Sequence, residues 1–387
     1  MTRTQGNAVA SALTVKEVKS ALDRRAFVRF PSDLYKDNPY YVPPFYADEL
    51  ADMDPRKNPA FSYADAKYFL AFREGKIVGR IGAIFSRRAN ERWGRRRMRF
   101  TQVDFIDDYA VSEALFGAVE AYAREMGCEA VHGPLGFTDL DREGMLVEGF
   151  EEKGLFFTYY NAPYYKEHLE RLGYTKDVDW IELQVFRPDD PEGRAGKLLA
   201  RLSERALKRH GFHVVKVKHN REFAPYIEKA FSLVNTAYHD LYGVVALDEA
   251  QIRRYAKKFV PLIDPDLACL VEDEQGQLVA FGASVRSLSD AFRKTDGKLF
   301  PFGWIPTLHA LSHGGQINLL LIAVEPRYQG TGVNAVIIHH IFSNAWRVGI
   351  FSAETGPQLE TNASVVDQWK IFESRQHKRR RCFTKDL

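Results

Sequence analysis

Apolar and polar positions along this chain follow two periods, and the order in which the periods alternate occurs twice. Lys67 to Phe72 and Ile77 to Phe85 are strand-like runs on either side of Arg73-Glu74-Gly75-Lys76, which is a hairpin signature, and Met98 to Ile106 is a third such run. A helical period covers Ala110 to Met126, followed by a strand at Glu129 to His132 and a helix from Tyr164 to Leu172. The later half repeats this plan. Leu267 to Glu272 and Leu278 to Leu288 flank Asp273-Glu274-Gln275-Gly276-Gln277, and Ile317 to Val324 is apolar at seven of eight positions, bounded by Pro326. Ile338, Ile341, Phe342, Ala345 and Trp346 then share one helical face. A strand at Ile350 to Glu354, a helix opening at Asn362 and ending near Phe372, and a closing strand from Arg379 to Lys385 complete the second set.

The chain has 387 residues, beyond the size at which a single core usually stops growing, so two domains are expected. Arg187-Pro188-Asp189-Asp190-Pro191-Glu192-Gly193 interrupts both periodicities with two prolines, a glycine and clustered charge. The expected division is a flexible terminus over 1–12, a first domain over 13–186, a linker over 187–193 and a second domain over 194–387. A hydrophobic fraction of 45%, a charged fraction of 27% and a net charge of +3 are ordinary for a globular protein and too mild for a nucleic-acid partner. Cys128, Cys269 and Cys382 lie far apart, with no CxxC pair, as in a protein of the reducing cytoplasm. No run approaches the ~18 apolar residues of a spanning helix, so no membrane partner is expected.

Chemistry concentrates after the Ile317–Val324 run. Arg327-Tyr328-Gln329-Gly330-Thr331-Gly332 joins that strand to the following helix. Gly330 and Gly332 allow backbone angles at which successive N–H groups converge, just where a helix presents its positive dipole end. A diphosphate is the natural guest of such a cradle. The spacing of the glycines alone is common; the strand before and the helix after give it weight.

At these residues the chain resembles GNAT-type N-acyltransferases, whose pantetheine-phosphate loop reads Arg or Gln, x, x, Gly, x, Gly or Ala between a strand and a helix. The resemblance implies two tandem GNAT-like domains of the α/β (α+β) class, each with a mixed, mostly antiparallel central sheet flanked by helices. It implies acetyl-CoA or another acyl-CoA as acyl donor, and a small-molecule amine or a peptide as acceptor. Carried over residue by residue, the strand backbone at Ile322, Ala323 and Val324 would meet pantetheine and polarise the thioester. Arg327, Gln329, Gly330, Thr331, Gly332 and Val333 would hold the diphosphate, and Asn362 the pantetheine arm. The amine would attack directly, with no covalent enzyme intermediate.

Two positions depart from the family pattern. Trp369 stands where the family often has a Tyr that protonates the departing thiolate, and Gln316 and Asn318 stand where many members have a carboxylate base. Glu354 is therefore the first choice for the base, ahead of Glu360 and His313. The first half resembles the family in element order but carries Asp107-Asp108 at the would-be phosphate loop, so coenzyme A is not expected there. Two rival readings are a non-catalytic acyl-CoA sensor and a Fem-type aminoacyl or peptidyl transferase.

The remaining features read more plainly. Neighbouring His339 and His340 point about 100° apart on a helix and cannot chelate together, so no metal is assigned. Arg95-Arg96-Arg97 and Lys378-Arg379-Arg380-Arg381 read as solvated strand edges, the latter with a possible contact to the adenosine 3′-phosphate. The aromatic stretches 38–45 and 156–165 suit packing between the domains or a lid. Asp139 to Gly144 suits a turn, or recognition of a cationic acceptor.

Overall fold

The computed structural model describes residues 12–190 and 192–387. The expected flexible terminus lies outside the described residues except for Ala12, as does Pro191 of the expected linker.

The first half runs β1 (Leu13–Glu17), α1 (Ala21–Leu34), α2 (Tyr46–Asp52), β2 (Ala64–Arg73), β3 (Lys76–Ser86), α3 (Arg87–Trp93), β4 (Arg97–Phe105), α4 (Tyr109–Glu125), β5 (Ala130–Gly133), β6 (Met145–Glu148), α5 (Tyr164–Arg171) and β7 (Thr175–Phe186). The second half runs α6 (Arg194–His210), β8 (His213–Val214), α7 (Ile227–Ala237), α8 (Glu249–Phe259), β9 (Ala268–Glu272), β10 (Leu278–Arg286), α9 (Ser289–Thr295), α10 (Trp304–His313), β11 (Gln316–Val324), α11 (Val333–Arg347), β12 (Ser352–Thr355), β13 (Gln358–Leu359), α12 (Ala363–Asp367) and β14 (Ser374–Asp386).

All the principal strands form one sheet in the order β1-β2-β3-β4-β5-β14-β7-β12-β11-β10-β9-β8. Its two ends mirror each other. From either edge the neighbours are antiparallel until one parallel pair, β4 with β5 or β11 with β12. Each half is then closed by a strand from the other half of the chain: β14 pairs with β5, and β7 pairs with β12. The chain does pass between the halves at 187–193, but β7 and β14 cross over, so neither 13–186 nor 194–387 holds a complete sheet of its own. A long antiparallel ladder between β7 and β14, with register shifts at Gln376/Lys378 and Cys382/Phe383, joins them.

The exchange corrects the reading of the basic run. Lys378 and Arg380 are each 1% exposed, in the middle of the sheet rather than at an edge. A central strand tolerates charge only when it is paired. Glu182 of β7 sits between them, accepting from Arg380 Nε and from Lys378 Nζ at 3.3 Å, while Asp179 accepts from Arg381 at 2.8 and 3.0 Å. Burial works against the charge on Glu182, yet Arg380 and Lys378 hold its carboxyl below the usual range.

Two apolar cores lie in the two halves. One packs α4 against β3 and β4 through Val111, Leu115, Phe116 and Val119; the other packs α11 through Val336, Ile337, Ile341 and Phe342. Gly282 of β10 brings α11 close, since a Cβ there would stand 2.3 Å from Ile337. The aromatic stretches pack partly between the halves, where Phe45 meets Phe292 at 4.4 Å and Phe156 meets Phe292 at 5.4 Å, while Tyr41, Tyr160, Tyr164 and Tyr165 pack within the first half.

Candidate active site

The strand that precedes the glycine loop is bulged. Ala283 faces Leu321 and Ser284 faces Leu319, leaving Leu320 as the extra residue. A bulge bends its strand and raises the local twist. Pairing between β11 and β12 covers only Gln316–Leu319 with Ser352–Thr355, after which the chain leaves to pair Gln358 and Leu359 with β7. Beyond Leu319, β11 thus has no strand neighbour on that side among the described residues. The sheet is split there.

The loop after β11 takes the geometry expected of it. Gly330 and Gly332 have φ of 74° and 92°, and a Cβ at Gly330 would meet nothing within 4 Å. Gln329 N–H donates to Pro326 at 3.2 Å and Thr331 N–H to Tyr328 at 3.3 Å, so these two amides are engaged internally. The amides of Gly330, Gly332, Val333 and Asn334 have no acceptor among the described residues. Four donors at the start of a 15-residue helix thus stay free, as an anion cradle would require. The matching position in the first half is closed: Asp108 caps α4 through Ala110 N–H and pairs with Arg73. No phosphate is expected beside that carboxylate.

Through the split runs a cavity of about 320 Å³. On the α11 side it is lined by Ile337, Ile341, Phe342 and Trp369, and on the opposite side by Phe223, Phe281 and Tyr238. Ile322 and Asn362, both assigned to the donor from the sequence, reach it. Ala323 and Val324 are buried in the strand, and Arg327 and Gln329 are exposed beside the loop. Trp369 is 3% exposed and donates its indole N–H to Gln358 at 3.2 Å. It is a wall, not an acid.

Glu354 is not among the residues lining the cavity. It is 7% exposed, 3.8 Å from Lys378 Nζ and 4.0 Å from His377 Nδ1, on the same charge ladder as Glu182. Burial pushes its carboxyl up and Lys378 pulls it down, with a net rise. Glu360 bonds Arg379 at 2.7 Å and also pairs with Lys176, and His313 is exposed at the end of α10.

The groups that do meet the cavity come from distant segments. Asp139, Asp141 and Glu143 line it together with Tyr238, Tyr242 and Tyr255. Asp141 is engaged, accepting from Phe137 and Thr138 N–H at 2.9 and 3.2 Å and from Tyr255 O–H at 2.8 Å. Asp139 and Glu143 form no ion pair among the described residues. Burial, and then the neighbouring carboxylate of Asp141, raise Asp139 to about 6. Burial, and then Asp139, also raise the Glu143 carboxyl well above its usual range. Tyr238 O–H donates to the Ile322 carbonyl at 2.9 Å, and burial raises its pKa, with Asp139 adding to the rise. Sequence reading singled out Asp139–Gly144 for cation recognition; Tyr238 carried no local signal at all.

No family model matches the chain. Among curated proteins it is 28% identical over 371 residues to Protein YghO of Escherichia coli K12, covering 94% of this chain and 93% of that protein. It is 27% identical over 323 residues to a bacterial ceramide synthase of Caulobacter vibrioides, covering 82% of each. Among solved structures, a tandem GNAT protein from the clavulanic acid biosynthesis pathway superposes with a TM-score of 0.55 at 11% identity, over 97% of this chain and 98% of that one. A GCN5-related N-acetyltransferase from Sphaerobacter thermophilus superposes with a TM-score of 0.52 at 10% identity, over 97% and 95%. The fold is that of the GNAT acetyltransferases in tandem form. The likeness extends along the whole chain.

Proposed function

We propose that this protein is an acyl-CoA-dependent N-acyltransferase that joins a fatty acyl group to an amine carried on an apolar body. The observation that carries the proposal is the cavity through the split sheet, lined by Ile322, Asn362 and two carboxylates, Asp139 and Glu143, that form no ion pair among the described residues; the free amides at the start of α11 lie outside its lining. Its size falls within the ~300–1,000 Å³ of small-molecule sites, and its walls are mainly apolar. An acetyl group would leave most of it unfilled, so a longer acyl chain is the better donor here than acetyl. The relative from Caulobacter supports the same class, since a ceramide is the fatty amide of a long-chain amino alcohol.

The chemistry follows from the groups around the cavity. The diphosphate of the donor lies on the amides of Gly330, Gly332, Val333 and Asn334, and pantetheine follows the free edge of β11 past Asn362. An ammonium enters opposite Asp139, whose carboxylate takes the proton that the amine must lose before it can attack. The nitrogen forms its bond to the thioester carbon as the carbon–sulfur bond breaks. Tyr238, on the β11 edge, gives its proton to the leaving thiolate and takes up the second proton of the nitrogen as the amide forms, and so replaces the tyrosine that Trp369 displaces. Burial and the neighbouring Asp139 hold the Glu143 carboxyl well above the usual range, which weakens its competition with Asp139 for the amine.

Incubation with acyl-CoAs of increasing length and a panel of amines, including a long-chain amino alcohol, tests this directly. Free thiol and the amide product should appear together, rising with chain length. Coenzyme A binding without thiol release from any donor would leave the sensor reading instead.

A further inference from the structure

Outside the cavity, the most exposed apolar surface lies between α9 and β11. Phe300 is 81% exposed, Phe302 71%, Leu308 54%, Ile305 51% and Trp304 45%, within nine residues of one another. Scattered apolar side chains are normal on a surface, but a contiguous cluster of large ones marks a site of contact. The turn before α10 carries the two phenylalanines outward, and the first turns of α10 add Trp304, Ile305 and Leu308. Thr307 is buried, and Ala310 and Leu311 hold the helix to Val285, Leu288 and Phe292.

The charge around this surface is one-sided. From Leu299 to Leu321 there is no Asp, Glu, Lys or Arg. At its border Asp290 is paired with Lys153 at 2.7 Å and Asp296 with Lys298 at 2.8 Å. Arg293 and Lys294 are exposed and have no carboxylate within 4.0 Å among the described residues. An uncharged aromatic knob beside free cations matches the headgroup region of an anionic bilayer, which accepts Trp and Phe at its boundary and attracts Lys and Arg. A second copy of this chain would bring the same cations against each other.

The surface also adjoins the cavity. Phe157, Phe259 and Leu320 pack in the cluster beneath α10 and at the same time line the cavity.

We infer that residues 299–308 dock this protein peripherally on an anionic lipid surface, next to the entry for an apolar substrate. This departs from the sequence-based expectation of no membrane partner, which rested on the lack of a spanning segment. It rests on the proposed N-acyltransferase reading only for its purpose, since a long-chain amine resides in lipid. The knob would place the cavity wall at the depth where such an amine's head group lies.

Flotation with phosphatidylcholine vesicles, with and without phosphatidylglycerol, tests the inference on the full chain. The wild type should bind the anionic vesicles and be released by salt. Phe300→Glu with Phe302→Glu and Ile305→Glu alters only exposed side chains and should reduce binding to both vesicle types by about tenfold or more. Arg293→Glu with Lys294→Glu should reduce binding to the anionic vesicles by about tenfold or more and leave the neutral ones unchanged. Absence of wild-type binding, or equal binding by the triple variant, would overturn the inference. So would a wild-type dimer that the triple variant splits while neither form binds vesicles. Thiol release from detergent-dispersed substrate should survive the triple substitution. A wild type that floats but never releases thiol would defeat the enzymatic reading and leave the docking surface standing.

Discussion

The hydroxyl of Tyr238, just past the end of α7, donates to the carbonyl of Ile322 at 2.9 Å, on the strand edge that β12 leaves uncovered. An acid placed there stands where a thioester lying along that edge would release its thiolate. Tyr238→Phe removes one oxygen from the cavity wall and leaves the apolar lining intact. Turnover should fall by about 10²-fold while coenzyme A binding holds, as measured by steady-state thiol release and titration calorimetry. Equal losses in binding and turnover would assign Tyr238 a structural part only.

In the proposed reaction Asp139 sets the acid limb of activity. A base must be unprotonated to work, and Asp139 is raised to about 6, so the rate should rise with pH through about 6 and then level off. Asp139→Asn should lower the rate by about 10²-fold or more and remove that limb from the pH profile of kcat/KM. Persistence of the limb in the variant would give the role to another group.

Chain-length preference should follow the cavity volume. Ala283 lines the cavity from β10, opposite Leu321. Ala283→Phe should cut kcat/KM for a long-chain acyl-CoA by about tenfold or more and change that for a short-chain donor much less. A uniform loss across chain lengths would place the acyl chain elsewhere.

Stability should depend on the charges buried at the crossover. Glu182 is fully buried, with Arg380 and Lys378 as partners. Arg380→Ala leaves that carboxylate short of a partner and should cost about 3–5 kcal/mol in urea unfolding. Glu182 is held below its unfolded value, so its contribution is present above the ordinary glutamate pKa near 4.3 and is lost as pH falls through the lower folded value. The double variant Arg380→Met, Glu182→Leu should recover much of the loss. A cost below about 1 kcal/mol for Arg380→Ala would mean that water reaches the pair.

What the sequence disclosed was what is local. Strand, glycines and helix at 317–346 are contiguous, so Gly330, Gly332 and the face of α11 were readable in one pass, as were both hairpins. Asp139 and Tyr238 meet the cavity from segments roughly 190 and 90 residues before the loop, and only the closed tertiary structure brings them to it. The run Lys378–Arg381 was read as a solvated edge because a run of like charge usually is. Its partners Asp179 and Glu182 lie on β7, but opposite charges on two strands do not by themselves announce that the strands pair. Glu354 was placed on the correct strand, and that pairing drew it into the ladder beside Lys378 and away from the cavity.

Coenzyme A titrated calorimetrically into the wild type, Gly330→Asn and Gly330→Glu tests the central claim most directly. Asn tolerates the positive φ of 74° at this position and keeps the cradle open, whereas Glu sets a negative side chain over the free amides. The account predicts binding by the wild type and Gly330→Asn and none by Gly330→Glu. Unchanged affinity in Gly330→Glu, or no binding by the wild type, would contradict it.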